Sequence, residues 1–143
     1  MNFKFWQKWL LVSGIILSIF GISMVLNINS EKFNPLIDPV FWGNETPNIQ
    51  VRNFQQWVYG VLGATMAGWG IFIAFIAAVP FKKKEKWSRD CIIIGILSWY
   101  ILDTFISLKA NVKFNAIGNT ILAIIILMPI FFTVTKFKKN SIE

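Results

Sequence analysis

The sequence predicts an all-α fold: an integral membrane four-helix bundle that forms a single domain over residues 1–143. The first observation behind this prediction is a set of four long apolar runs, at 10–26, 54–79, 90–108 and 116–134. As a helix, the run at 90–108 would extend about 28 Å, close to the hydrocarbon thickness of a bilayer. The second observation is composition. The chain is 55% hydrophobic and 15% charged, whereas soluble domains are about 45–50% apolar and about 25% charged.

The third observation is the distribution of cationic residues, which predicts that the N and C termini are both cytoplasmic. Four spans place both termini on one side, together with the basic connection 80–89. An excess of Lys and Arg marks the cytoplasmic side of a membrane protein. Ten of the 14 cations would lie there: Lys4, Lys8, Lys82, Lys83, Lys84, Lys86, Arg89, Lys136, Lys138 and Lys139. The other side would carry Lys32, Arg52, Lys109 and Lys113.

The amino-acid composition also limits the chemistry that the chain can perform. It has no histidine and a single cysteine, Cys91, so it lacks the side chains of conventional zinc, haem, Ser-His and Cys-His sites. We therefore expect no catalytic residue, no metal site and no cofactor. The net charge of +7 does not indicate a nucleic-acid partner, because the cations lie at the ends of apolar runs and not along one soluble face.

The first apolar run, 10–26, follows a short basic and aromatic leader. A positive start before an apolar run also fits a signal peptide. An uncleaved span is the favoured interpretation, because the run of about 17 residues is long for a signal peptide. In addition, no small-x-small cleavage site follows it.

Residues 27–53 are predicted to form an external loop. Pro35, Pro39 and Pro47 should block regular helix through much of it. A loop of this length in a small protein is usually functional or serves as a cap. Two interpretations stay open: an ordered lid whose aromatic side chains lie on the bilayer surface, and a cover over a pocket.

The second span contains small residues at four-residue spacing, which lets another helix approach closely. The approaching helix could belong to a second copy of the chain, which would make these residues a dimer face, or to the chain's own bundle, which is the favoured interpretation. The predicted helix-packing residues are Gly60, Gly63, Ala64, Ala67 and Gly68.

The third span carries an acidic residue, Asp103, six residues before Lys109 and therefore about 9 Å inside the end of its helix. Counting from the same membrane surface places polar side chains of the second and fourth spans at a similar depth. A charged carboxylate at depth costs at least a few kcal/mol, so it should face the bundle interior and find partners, or stay protonated. The residues of this predicted polar cluster are Asp103, Asn119, Asn115, Ser107, Tyr59, Gln56 and Trp99.

Two interpretations of the polar cluster stay open. In one, Asp103 and the two asparagines form an interhelical hydrogen-bond network that fixes the packing. In the other, the cluster lines an outward-opening pocket for a polar headgroup, a small solute or a proton, since acids inside membrane spans are often functional.

Several segments carry a resemblance to a known group of proteins. These are the glycine-rich stretches 59–64 and 68–70 of the second span, segment 99–103 of the third span, and the pair Asn115 and Asn119. With the short first span and the external loop, the layout resembles small four-span bacterial membrane proteins of the broad DoxX-like kind. The resemblance implies no catalytic residue. The small multidrug transporters also have four spans, but their acidic residue belongs in the first span, where this chain has none.

These observations predict a non-enzymatic multi-pass protein of the bacterial cytoplasmic (inner) membrane. It would bind a small molecule or lipid at the polar cluster around Asp103, or serve as an accessory subunit. The alternative is an oligomeric transporter or channel with Asp103 in the path, and a membrane enzyme is the third choice. The expected partners are membrane lipids and either further copies of the chain or a larger membrane complex.

Overall fold

The computed structural model describes residues 2–28 and 30–137, and every regular element in this part of the chain is helical. Short 3₁₀ turns at Ser30–Phe33 and Val134–Lys136 and a π-helical turn at Ala77–Phe81 accompany the five α-helices. The α-helices are α1 (Phe3–Val25), α2 (Asn34–Phe41), α3 (Ile49–Ile76), α4 (Lys86–Lys109) and α5 (Lys113–Thr133).

Within the described residues, four helices are long and apolar enough to cross a membrane, as the sequence predicts. Each begins before the predicted span: α1 at Phe3, α3 at Ile49, α4 at Lys86 and α5 at Lys113. The physical reason is that helical hydrogen bonding continues into polar flanks, whose side chains can reach water. The apolar run marks the segment that fits hydrocarbon, and the helix itself is longer.

The loop between the first two long helices is more regular than its prolines predict. A 3₁₀ turn and then α2 occupy residues 30–41, so the prediction that proline blocks helix there is wrong for this part. Pro35 lies in the first turn of α2, where a backbone N–H has no intrahelical partner and its loss costs little. Pro39 lies inside the helix, which has only eight residues.

The connection between α4 and α5 is three residues long, at 110–112. Asn111 closes it with a positive φ of 60°, a conformation that asparagine tolerates better than most residues. The Val112 N–H donates to the carbonyl of Ser107 at 2.8 Å. So short a connection makes α4 and α5 antiparallel neighbours, which brings the end of one against the beginning of the other.

Backbone contacts divide the chain into two compact units. The first unit comprises Met1–Ile15 and Ile71–Glu143, and the second comprises Ile16–Gly70. Leu10, Ala77 and Phe81 are fully buried in the first unit. There the Gln7 side-chain amide donates to the carbonyl of Ala77 at 2.9 Å, at the π-helical turn that ends the second span.

In the second unit, α1 and α3 approach closely at glycine. A Cβ atom added to Gly63 would lie 2.5 Å from the carbonyl oxygen of Gly21, and one added to Gly21 would lie 2.5 Å from the backbone nitrogen of Ala67. Real Cβ atoms do not approach other atoms this closely, so the contact requires glycine at both positions. The Ser18 hydroxyl reinforces it by donating to the carbonyl of Ala67 at 3.2 Å.

The predicted helix-packing residues of the second span therefore fall into two groups. Gly63 and Ala67 lie against Gly21, a residue that the sequence analysis did not single out. Cβ atoms added to Gly60 and Gly68 would meet no described atom within 4 Å, and Ala64 is exposed. These three residues take no part in the close approach of α1 and α3, and a role for them in helix packing stays a prediction.

Candidate functional site

The carboxyl group of Asp103 lies between α4 and α5 and receives hydrogen bonds from both helices. Its Oδ1 atom accepts from the side-chain amides of Asn115 at 2.8 Å and Asn119 at 2.9 Å. Its Oδ2 atom accepts from the indole N–H of Trp99 at 3.1 Å. Each of these partners donates, so the surroundings complement a carboxylate oxygen as an acceptor.

Helix geometry explains why these side chains meet. Trp99, Asp103 and Ser107 are spaced by four residues and share one face of α4. Asn115 and Asn119 are spaced by four and share one face of α5. The three-residue turn sets the first turns of α5 against the last turns of α4, so the two polar faces lie at the same level.

Ser107 links the two helices further. Its hydroxyl lies 2.7 Å from the backbone carbonyl of Asp103 and 3.0 Å from Oδ1 of the same residue. A hydroxyl has one proton, so it donates to one of these acceptors at a time. The Asn115 amide donates to the Ser107 oxygen at 2.8 Å, so Ser107 both accepts and donates. Ser107 and Asn119 are each 5% exposed, which makes these partners a fixed part of the helix interface.

The Asp103 carboxyl group is itself only partly buried. Within residues 2–28 and 30–137, no Lys or Arg nitrogen lies within 4.0 Å of it; the two ion pairs in this range are Arg52–Asp38 and Arg89–Asp90. A carboxylate has about four acceptor positions. Oδ1 meets up to three donors, whereas Oδ2 meets Trp99. Acceptor capacity for a further donor therefore remains on Oδ2.

A second polar contact joins the same helices and was not singled out from the sequence. The hydroxyl groups of Tyr100 and Thr120 lie 3.2 Å apart. Because Thr120 donates its own proton to the carbonyl of Ala116 at 2.8 Å, Tyr100 is the donor. Thr120 follows Asn119 directly, so the sequence signal was present: both helices carry polar residues next to the predicted face.

The two remaining residues of the predicted polar cluster, Tyr59 and Gln56, belong to the second unit. The Tyr59 hydroxyl donates to Oδ1 of Asn34 at 3.2 Å, so its partner is α2. Gln56 lines a surface groove. A role for either residue in ligand binding stays a prediction.

Helix α2 is fastened to α3 by a charged contact, which we call the clasp, formed by Asp38, Arg52 and Gln55. The Asp38 carboxylate accepts from the Arg52 guanidinium at 2.6 Å and from the Gln55 amide at 2.9 Å. Burial alone would raise the pKa of Asp38, but the hydrogen bonds from Arg52 and Gln55 and the charge of Arg52 outweigh burial. The pKa of Asp38 therefore lies below its ordinary value of 3.8.

The surface groove in the second unit has a volume of about 500 Å³. Its lining residues include Asn27, Asn53, Gln56 and Trp57. Gly60 and Ala64 form the part of its surface that lacks long side chains. Positions 53, 57, 60 and 64 follow helical spacing, so the groove runs along one face of α3.

Comparison of the chain with protein-family models, with curated proteins and with solved structures gives no match. The resemblance to DoxX-like proteins therefore stays a prediction. Among the described residues, no group of three or more His, Cys, Asp or Glu side chains is placed to hold a metal ion.

Proposed function

We propose that the chain is a non-enzymatic multi-pass protein of the bacterial inner membrane that binds a hydrogen-bond-donating polar group at Asp103. The group would belong to a small molecule or a lipid headgroup. The observation that carries the proposal is the partly exposed carboxylate, which has no cationic partner within 4.0 Å in the described chain and has acceptor capacity left on Oδ2.

The exposed surface of the long helices supports insertion into a membrane. Large apolar side chains project from all four, and a soluble monomer rarely exposes contiguous apolar surface on this scale. Examples, one from each long helix, are Ile19, Phe72, Leu102 and Phe131, which are 62%, 69%, 69% and 76% exposed. The excess of cations on one side supports cytoplasmic termini. Lys138 and Lys139, which contribute to that excess, lie outside the described residues.

The donors around Asp103 support a division of roles within the site. The asparagines of α5 and Ser107 hold Oδ1 and fix its position between the helices. The Oδ2 side would then meet the ligand. A carboxylate favours a positively charged donor, because the attraction between opposite charges adds to the hydrogen bond. An ammonium group is therefore the preferred ligand chemistry, with a hydroxyl group second.

The packing of the first unit favours a site that opens on one side over a transport path. Leu10, Phe81 and Ile126 are at most 1% exposed, so the unit is closely packed around these three apolar side chains. The buried polar side chains of Gln7, Ser88 and Thr133 in the same unit each donate to a backbone carbonyl, so their donor groups are already engaged. The oligomeric transporter therefore stays the second choice, and the same experiment tests it.

The test uses two single-chain amphiphiles, dodecylamine and dodecanoic acid, added to the purified protein in detergent at neutral pH. Native mass spectrometry counts the bound molecules. We expect the wild type to retain the amine in preference to the acid. Asp103→Asn should fold and lose that preference by about tenfold or more, the equivalent of one charge-assisted hydrogen bond. Tyr100→Phe, which alters the same helix interface without touching the carboxylate, should behave as the wild type.

Two results would contradict the proposal. Equal retention of the amine by the wild type and by Asp103→Asn would show that the carboxylate does not bind it. Proton flux into liposomes that contain the wild type, and no flux with Asp103→Asn, would identify the carboxyl group as part of a transport path.

A further inference from the structure

The groove on α3 has a polar end and an apolar end. Three residues with side-chain amides, Asn27, Asn53 and Gln56, line one end, near the end of α1 and the beginning of α3. Gly60 and Ala64 lie farther along α3. From position 56 to position 64 the helix rises about 12 Å. The groove therefore changes from polar to apolar along the helix, in the direction that leads from the end of the span toward its middle.

The groove includes the open space beside Gly60, which has no side chain to fill it. A Cβ atom at this position would meet no described atom within 4 Å, whereas Gly63, three residues later, touches Gly21. Helix α3 therefore contacts α1 at Gly63, whereas space remains beside Gly60. The indole of Trp57, which is 64% exposed, stands next to this open space and forms a wall.

We propose that this groove binds one membrane lipid whose headgroup is uncharged and carries a hydroxyl group, as in a diacylglycerol. The headgroup lies on the three amides, and the first part of an acyl chain lies along Gly60 and Ala64 beside Trp57. The volume of about 500 Å³ falls within the range of about 300–1,000 Å³ that is usual for ligand sites. A lipid fits the order of polar and apolar surface along the groove.

The charge of the lining residues indicates which kind of lipid headgroup the groove can bind. Among the described residues, no Lys, Arg, Asp or Glu lines the groove, so a phosphate or an ammonium group finds no opposite charge in this lining. Arg52 precedes Asn53 in the chain, but its guanidinium is held by Asp38 at 2.6 Å in the clasp. Carboxamides both donate and accept hydrogen bonds, as hydroxyl groups do, and therefore match an uncharged hydroxyl-bearing headgroup.

The experiment compares two probes, dioleoylglycerol and dioleoylphosphatidylglycerol, by native mass spectrometry of the full chain in detergent. The wild type should retain one molecule of dioleoylglycerol in preference to the anionic lipid. Gly60→Leu fills the groove and should reduce that retention at least tenfold. Gly68→Leu is the matched control, because its Cβ atom also meets open space but residue 68 does not line the groove.

Three results would overturn the proposal: equal retention by the wild type and Gly60→Leu, an equal loss with Gly68→Leu, and retention of the anionic lipid at least as strong as that of the neutral one. If Gly60→Leu fails to fold, Ala64→Leu, at an exposed position, provides the same blockage and the same criteria. Both comparisons are repeated in the Asp103→Asn background, where dioleoylglycerol that is retained by the parent and lost with Gly60→Leu is bound in the groove and not at the Asp103 site.

Discussion

Replacing Asp103 and Asn119 by leucine, singly and together, tests whether the hydrogen bonds between α4 and α5 hold the helices together. The Asn119 amide is 2.9 Å from Oδ1 of Asp103, and Asn119 is 5% exposed. Asp103→Leu removes the acceptor of Asn119, Asn115 and Trp99 at once. Asn119→Leu removes one donor and leaves the carboxylate with its others.

The magnitude follows from the kind of bond. Hydrogen bonds to charged groups contribute about 1.5–3 kcal/mol in soluble proteins, whereas interhelical bonds measured in a membrane average about 0.6 and reach about 1.7 kcal/mol. We therefore expect Asp103→Leu to lower the free energy of unfolding by about 1–3 kcal/mol. Asn119→Leu should cost about 1 kcal/mol, and the double variant should cost less than the sum by about 0.5–1 kcal/mol.

Unfolding in mixed micelles, followed by circular dichroism, measures these free energies. Asp103→Leu combined with Thr133→Val is the control cycle. Thr133 bonds to the carbonyl of Pro129 within its own helix and lies about 21 Å along α5 from Asn119, so the two changes should add. Additivity in the cycle of Asp103 and Asn119 would refute the hydrogen-bonded cluster.

Two further predictions concern the second unit. Gly63→Leu should prevent folding in detergent or strongly reduce the melting temperature, because Gly21 leaves no room for a side chain, while Gly68→Leu should leave the melting temperature unchanged; equal melting temperatures would contradict the close approach. The pKa of Asp38 lies below 3.8, so the clasp should be fully present above pH 3.8 and be lost as the pH falls through the lowered pKa. Hydrogen exchange of α2 should then increase in acid in the wild type, and Arg52→Gln should show increased exchange already at neutral pH; exchange that is independent of pH in the wild type would count against the clasp.

The sequence predicts the four long helices and the polar contact between α4 and α5. Apolar runs locate the spans because hydrocarbon imposes their length. Asp103, Asn115 and Asn119 could be matched because a short turn forces the two helices to be neighbours, and counting from it gives the depth of each residue. Depth and adjacency together leave one arrangement of these side chains.

Other features could not be predicted, because the depth of a residue in the membrane does not determine the direction in which its side chain points. Counting along the sequence assigns Tyr59 a depth similar to that of Asp103, but depth does not say which helix its side chain faces, and its partner is Asn34 of α2. Gly21 has no sequence signal of its own, since neither glycine of the apolar run 10–26 reveals which face of the helix meets another helix. Gly60 follows the spacing of a packing residue, yet it lines a groove.

The central claim is that the chain crosses the membrane four times and holds both termini on the cytoplasmic side, which puts Asp103 near the opposite surface. The direct test first replaces the exposed Cys91 by serine. Single cysteines are then introduced at Asn44 and at Ser141, the second of which lies outside the described residues. A membrane-impermeant thiol reagent added to intact cells with a permeabilised outer membrane should label position 44, and position 141 only after the inner membrane is opened. Labelling of both positions from the same side of the membrane would contradict the four-span arrangement.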